Sequence, residues 1–99
     1  MNIDCKQDNN KIILKLSGRL DTVTSLKLAE FEQVISKDKI TSLILDLKKL
    51  EYLSSAGLRV ILKFQKIMNK KGVMEVINVN SLIMEIFDMT GFTEILTIK

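Results

Sequence analysis

The sequence predicts a single α/β domain over residues 1–99: a small mixed, mostly parallel β-sheet with packed helices, in the order β-β-α-β-α-β-α-β. Three observations predict it. Segments with the two-residue apolar period of a strand take turns along the chain with segments of helical period, and such alternation builds parallel strands joined by right-handed crossovers. The two opening strands are separated only by a short polar turn, which adds one antiparallel hairpin. The 99 residues include no proline and only four glycines, with 46% apolar content, so they suit one compact domain without a linker or low-complexity tract.

Residues 2 to 7 alternate Ile3 and Cys5 with Asp4 and Lys6, a half-buried strand on which Cys5 is expected to be a buried structural thiol. Asp8-Asn9-Asn10 is a turn, because these residue types tolerate left-handed backbone. Lys11 to Ser17 is the second strand, with Ile12, Leu14 and Leu16 on one face. Gly18 to Asp21 end it. Asp21 or Thr22 then caps a helix running to about Lys37, whose Thr24, Leu28, Phe31 and Ile35 form one buried stripe. Ile40 to Leu47 is the third strand. It is apolar on both faces, so it is expected at the centre of the sheet, covered on both sides.

A loop from Lys48 to Leu53 leads into the second helix, Gly57 to about Lys70. That helix is apolar over more than half its circumference, and Arg59, Lys63, Lys66 and Lys70 make one basic stripe on the rest, ordinarily a solvated face. Gly72 is expected to terminate it. Val73 to Asn78 is the fourth strand. A third helix opens at Asn80 or Ser81 and stops at Gly91, with Leu82, Ile83, Ile86 and Phe87 inward and Met84 and Met89 outward. Glu94 to Ile98 is a short last strand.

Composition removes most chemistries. There is no histidine, the commonest general base and metal ligand. A single cysteine builds neither an internal disulfide nor a zinc site. The glycines at 18, 57, 72 and 91 form neither a Walker A loop nor a GxGxxG fingerprint. Neither an enzyme nor a cofactor is therefore expected. Fifteen basic and twelve acidic residues are spread along the chain, and no aromatic interleaves the basic stripe, so direct nucleic-acid binding is not expected either. The opening Met1-Asn2-Ile3-Asp4-Cys5-Lys6 has no secretory pattern, and the apolar runs fall far short of the ~20 residues that span a bilayer. The expectation is a cytoplasmic protein without membrane contact.

What stands out is Leu53-Ser54-Ser55-Ala56-Gly57-Leu58, two hydroxyls in front of a helix with nothing bulky beside them. A serine there is a preferred N-cap. The same place, at the positive end of the helix dipole, also suits a phosphorylated side chain.

Three blocks carry a resemblance: Leu16-Ser17-Gly18-Arg19-Leu20-Asp21, Leu43-Ile44-Leu45-Asp46-Leu47 and Tyr52-Leu53-Ser54-Ser55-Ala56-Gly57-Leu58. Together with Ile86-Phe87-Asp88-Met89-Thr90-Gly91-Phe92 they resemble the signature of the STAS domain over essentially the whole chain, with particular likeness to the stand-alone bacterial anti-sigma factor antagonists. The resemblance implies a partner: an anti-sigma factor that is a serine/threonine kinase of the histidine-kinase-like ATPase type. The unmodified antagonist binds it, the kinase phosphorylates a serine at the start of the second helix, and a metal-dependent serine phosphatase resets the switch. In the family's register the acceptor falls on Ser55, with Ser54 as second choice, and Ser54 stands where the family usually has aspartate. The partner surface implied is Asp21, Thr22, Thr24, Ser54, Ser55, Ala56, Arg59 and Lys63. A STAS module that binds another signalling protein or a nucleotide, and a phosphorylation-independent scaffold, are the other readings.

Overall fold

The computed structural model describes residues 1–99. Strands β1 (Asn2–Asp8), β2 (Lys11–Leu20), β3 (Ser42–Leu53) and β4 (Val73–Ile77) form one sheet in the order β1-β2-β3-β4. β1 is antiparallel to β2, and β2, β3 and β4 are mutually parallel. Helices α1 (Thr24–Ala29), α2 (Glu32–Ile35), α3 (Ser55–Asn69) and α4 (Ser81–Thr90) complete the chain. The predicted α/β class and the mixed, mostly parallel sheet are both present.

The sheet is covered on one face only, which corrects the expectation that β3 is buried on both sides. The parallel strands are laid down in chain order, each crossover stepping the same way. Right-handed crossovers that always step in one direction put every helix on the same side. Leu43, Leu45 and Leu47 on β3 are fully buried among the helices, with Ile12, Leu14 and Leu16 of β2 beside them. On the opposite face Ile13, Ile44 and Ile77 are only half-buried and lie outside the single core cluster of 21 residues.

α3 is the main lid on that core. Leu58, Ile61, Phe64 and Met68 recur at helical spacing and are buried, each contributing about 1.5–3 kcal/mol by leaving water. α4 is tied down at its start by Asn80, whose side-chain oxygen accepts from the Ile83 N–H at 2.9 Å while its amide donates to the Leu50 carbonyl at 2.8 Å. Ile83 and Phe87 then enter the core, whereas Leu82 is 51% exposed, contrary to expectation. Gly91 stops α4 in the left-handed conformation, φ 79°.

Four further expectations need correction. The helix expected to run to Lys37 is two pieces, α1 and α2. Tight i→i−3 bonds at Glu30, Phe31 and Val34 interrupt the α-helical ladder. The Lys71 ammonium ties the C-terminal end of α2 to the end of α3 by donating to the carbonyls of Ile35 and of Lys37, the latter at 2.6 Å. The strand expected at Glu94–Ile98 is a 3-10 turn, Phe92–Glu94, followed by one bridge from Ile98 to Val76. This segment is held chiefly by side chains: Phe92 stacks on Phe87 with ring centres 6.3 Å apart, and Leu96 is buried. Cys5 is exposed, because β1 is the sheet's edge and the helices do not reach over it. Gly72 is not a left-handed helix stop. A Cβ there would lie 1.9 Å from the Thr41 carbonyl oxygen, so its role is close approach between two backbones.

Candidate functional site

β2 and β3 are both longer than their apolar alternation suggests, and this brings the site together. Gly18, at φ 94°, carries β2 past Ser17 to Leu20 in a conformation that disfavours any side chain. β3 continues past Leu47 through two register shifts, so that Leu20 pairs with Leu53. Because the two strands are parallel, the loops that follow them leave the same end of the sheet. The Ser54 N–H donates to the Leu20 carbonyl at 2.9 Å, fastening the serine loop to the loop that begins at Asp21. Arg19 lies over the Tyr52 ring, 4.2 Å from its centre, on the strands just before these loops.

The two serines have different surroundings. Ser54 is 9% exposed and is the N-cap of α3: its Oγ accepts from the Gly57 N–H at 3.1 Å, and its carbonyl accepts from Leu58 at 2.9 Å. Ser55 is the first residue of α3 and is exposed, and its hydroxyl engages no other group of the protein. The expectation that the helix begins at Gly57 is therefore two residues late. Gly57 is required for packing: a Cβ there would come within 2.8 Å of Leu20 and 2.9 Å of Leu53. Ser54 satisfies the N–H groups of both Gly57, through its hydroxyl, and Leu58, through its carbonyl, while those of Ser55 and Ala56 have no protein partner and carry the positive end of the helix dipole.

Of the alternatives left open for the first helix, it is Asp21 and not Thr22 that makes the capping bonds, across the turn leading into α1; the residue just before the helix, Val23, makes none. The Asp21 carboxylate accepts from the Thr24 N–H at 2.9 Å, and the Thr24 hydroxyl in turn accepts from the Asp21 N–H at 2.9 Å, a reciprocal capping box. The Thr24 backbone N–H, and then its hydroxyl, hold the Asp21 carboxyl below the ordinary carboxylate range; the nearby Arg19 charge acts in the same sense. The single Thr24 hydroxyl proton lies between two acceptors, the Arg19 carbonyl at 2.7 Å and the Asp21 carboxylate at 3.0 Å, so Thr24 shapes the loop more than it faces outward. Thr22 is exposed and Ala56 half-buried.

Arg59 is exposed, one turn beyond Ser55 on the same side of α3, and pairs with no carboxylate. Lys63 is a further turn along, and its ammonium is engaged by Glu32 of α2 at 3.2 Å. It belongs to the periphery. Two residues that the sequence reading did not select are Val23, 71% exposed, and Leu26, 70% exposed, on and beside the loop after Asp21. Leu26 carried a signal: it is apolar yet out of phase with the stripe of Leu28, Phe31 and Ile35. The site thus gathers hydroxyls, one arginine without a carboxylate partner and two uncovered apolar side chains.

The family model of the STAS domain matches residues 2–99. Among named relatives, the anti-sigma F factor antagonist of Paenibacillus polymyxa is 33% identical, the match covering 99% of this chain and 87% of that protein. The anti-sigma-B factor antagonist of Bacillus subtilis (strain 168) is 29% identical over 100% of this chain and 91% of its own. In fold, the chain is similar to the unphosphorylated anti-sigma factor antagonist SpoIIAA, with a TM-score of 0.86 at 15% identity, covering 99% of this chain and 88% of that one. An anti-sigma factor antagonist from Mycobacterium paratuberculosis gives the same TM-score, 0.86, at 20% identity over 98% of this chain and 83% of its own.

Proposed function

The chain belongs to the STAS domain family, and from that premise we propose that it is an anti-sigma factor antagonist switched by phosphorylation of Ser55. The observation that carries this is the separation of the two hydroxyls. Ser54 is buried and spends its oxygen on the Gly57 N–H, while Ser55 is exposed and uncommitted at the positive end of a 15-residue helix. The named relatives are antagonists of anti-sigma factors, which supports an anti-sigma factor as the partner here. We extend this to a serine/threonine kinase of the histidine-kinase-like ATPase type as that factor, to a metal-dependent serine phosphatase as the resetting enzyme, and to the cytoplasm as the compartment. No helix is long and apolar enough to cross a membrane.

In the switching step the Ser55 Oγ attacks the γ-phosphorus of the kinase's ATP. ADP leaves and the hydroxyl proton passes to the kinase. The product adds about −1.5 to −2 charges and three acceptor oxygens. Within the free protein this is tolerated: the helix dipole favours an anion by about 0.3–1 kcal/mol, and Arg59 lies one turn away as a counter-charge. In a docked complex the same charge sits inside the contact and must be desolvated there. A penalty of only ~3 kcal/mol weakens binding more than a hundredfold.

The test pairs the protein with the kinase-type anti-sigma factor of its own host and follows ATP-dependent phosphate incorporation and affinity. Ser54→Ala should still be labelled, Ser55→Ala should not, and Ser55→Asp should bind more than tenfold more weakly with an unchanged fold. Labelling that persists in Ser55→Ala, or wild-type affinity in Ser55→Asp, overturns the assignment.

A further inference from the structure

The two edges of the sheet are treated differently. At the β4 edge the Val76 N–H donates to the Thr97 carbonyl at 2.9 Å and its carbonyl accepts from Lys99 at 2.9 Å, so the chain's last residues cover it. At the other edge β1 pairs only with β2. Its register with β2 runs unbroken from Asn2 to Asp8, with no bulge to twist it away and no proline to spoil its hydrogen bonding. Only Ile3 of its seven residues is even half-buried. Such an edge offers a row of free N–H and C=O groups to another strand.

From this edge and its charge pattern we infer that a second copy of the chain pairs with it, β1 against β1, to form a two-fold dimer with one continuous sheet. An antiparallel pair of identical strands is centred on one residue, and β1 is self-complementary about Cys5. Centring there sets Asp4 opposite Lys6 of the second copy, and Lys6 opposite its Asp4, both pairs on the open face of the sheet. On the helix-bearing face Ile3 meets Gln7, and the two exposed Cys5 side chains meet each other. Moving the centre by one residue, to Asp4 or Lys6, would set like charges directly opposite. The charges therefore select the register that the bare edge permits. Edge pairing over seven residues buries less than the ~1,200–2,000 Å² of a stable interface, so the dimer is weak and concentration-dependent. The Ser55 sites stay open and lie at opposite ends of the dimer, because the axis reverses strand direction.

Sedimentation equilibrium under reducing conditions, from about 10 μM to about 1 mM, tests this. The average mass should climb above the 11.3 kDa monomer. Asp4→Lys and Lys6→Asp should each weaken self-association about tenfold, since each sets two like-charge pairs face to face. An equimolar mixture of the two variants should associate again, as should the doubly swapped chain. Diamide, a thiol oxidant that takes up the two protons and two electrons released as the S–S bond forms, should then join the copies through Cys5. A monomer at every concentration, or association that survives either single reversal, overturns the dimer. So does a mixture no stronger than its components. None of these outcomes depends on the anti-sigma partner, so the dimer and the switch fail separately.

Discussion

Replacing Ser54 with alanine removes an interaction whose size can be worked from its surroundings. The Ser54 Oγ is the acceptor for the Gly57 N–H at 3.1 Å. Loss of a serine cap costs about 0.5–2 kcal/mol, typically ~1. Gly57 is buried against Leu20 and Leu53, so water does not readily replace the lost oxygen, and an unsatisfied buried N–H costs about 1–3 kcal/mol. The two ranges overlap at about 1–2 kcal/mol, a sizeable share of the ~5–15 kcal/mol that holds a domain of this size folded. In urea denaturation Ser54→Ala should lower the midpoint without changing the slope, and in thermal denaturation it should lower Tm by about 4–16 °C. Ser55→Ala, at an exposed first helical position, should stay within ~0.5 kcal/mol of wild type. Ser54→Asp should keep most of the stability, since aspartate caps as well as serine and favours the dipole by about 0.3–1 kcal/mol. If Ser54→Ala and Ser55→Ala lost stability equally, or Ser55→Ala lost more, the division of labour between the two serines would be refuted.

Gly72→Ala should be among the most damaging single changes in the chain, because its Cβ would fall 1.9 Å from the Thr41 carbonyl oxygen, a backbone atom that cannot swing aside; a loss above ~3 kcal/mol in urea denaturation is expected. The depressed Asp21 carboxyl gives an acid limb to stability. Its folded pKa lies below the unfolded one, so its contribution is complete above the ordinary aspartate value near ~3.9 and is lost as pH falls through the folded value. Tm profiles of wild type and Asp21→Asn should therefore differ most above pH ~4 and converge in stronger acid. Curves that stay parallel down to the acid transition would contradict the Thr24 capping box as the cause.

Sequence periodicity revealed the fold class wherever one face of an element alternates cleanly, as in Ile12, Leu14 and Leu16, or recurs at helical spacing, as in Leu58, Ile61, Phe64 and Met68. It failed at the end of β3 for a definite reason. The bulges put Leu47, Leu50 and Leu53 three residues apart, a spacing foreign to a flat strand, with charged Lys48, Lys49 and Glu51 between them. The one-sided sheet was hidden as well. Half-buried Ile13, Ile44 and Ile77 on an open face read the same in sequence as side chains under a second layer of helices. At the site, the hydroxyls and Asp21 were legible as residue types. The roles of Ser54 and Ser55 were not, since they depend on which of two adjacent side chains the first helical turn rotates inward. Val23 and Leu26 escaped because apolar residues are ordinarily counted toward the core.

The strand order carries one last consequence. Where a parallel sheet reverses its direction of travel, neighbouring crossovers fall on opposite faces and a crevice opens between them at the strands' C-terminal ends, the usual seat of small ligands. This sheet never reverses. Its β2 and β3 ends instead finish at one end of the sheet, where the bond from the Ser54 N–H to the Leu20 carbonyl joins the loop of Asp21 to Ser54 and the exposed Ser55. A strand end without that crevice suits recognition by area, against another macromolecule. It is also easily vetoed, because a single charged group placed on it has no recess in which to be ignored.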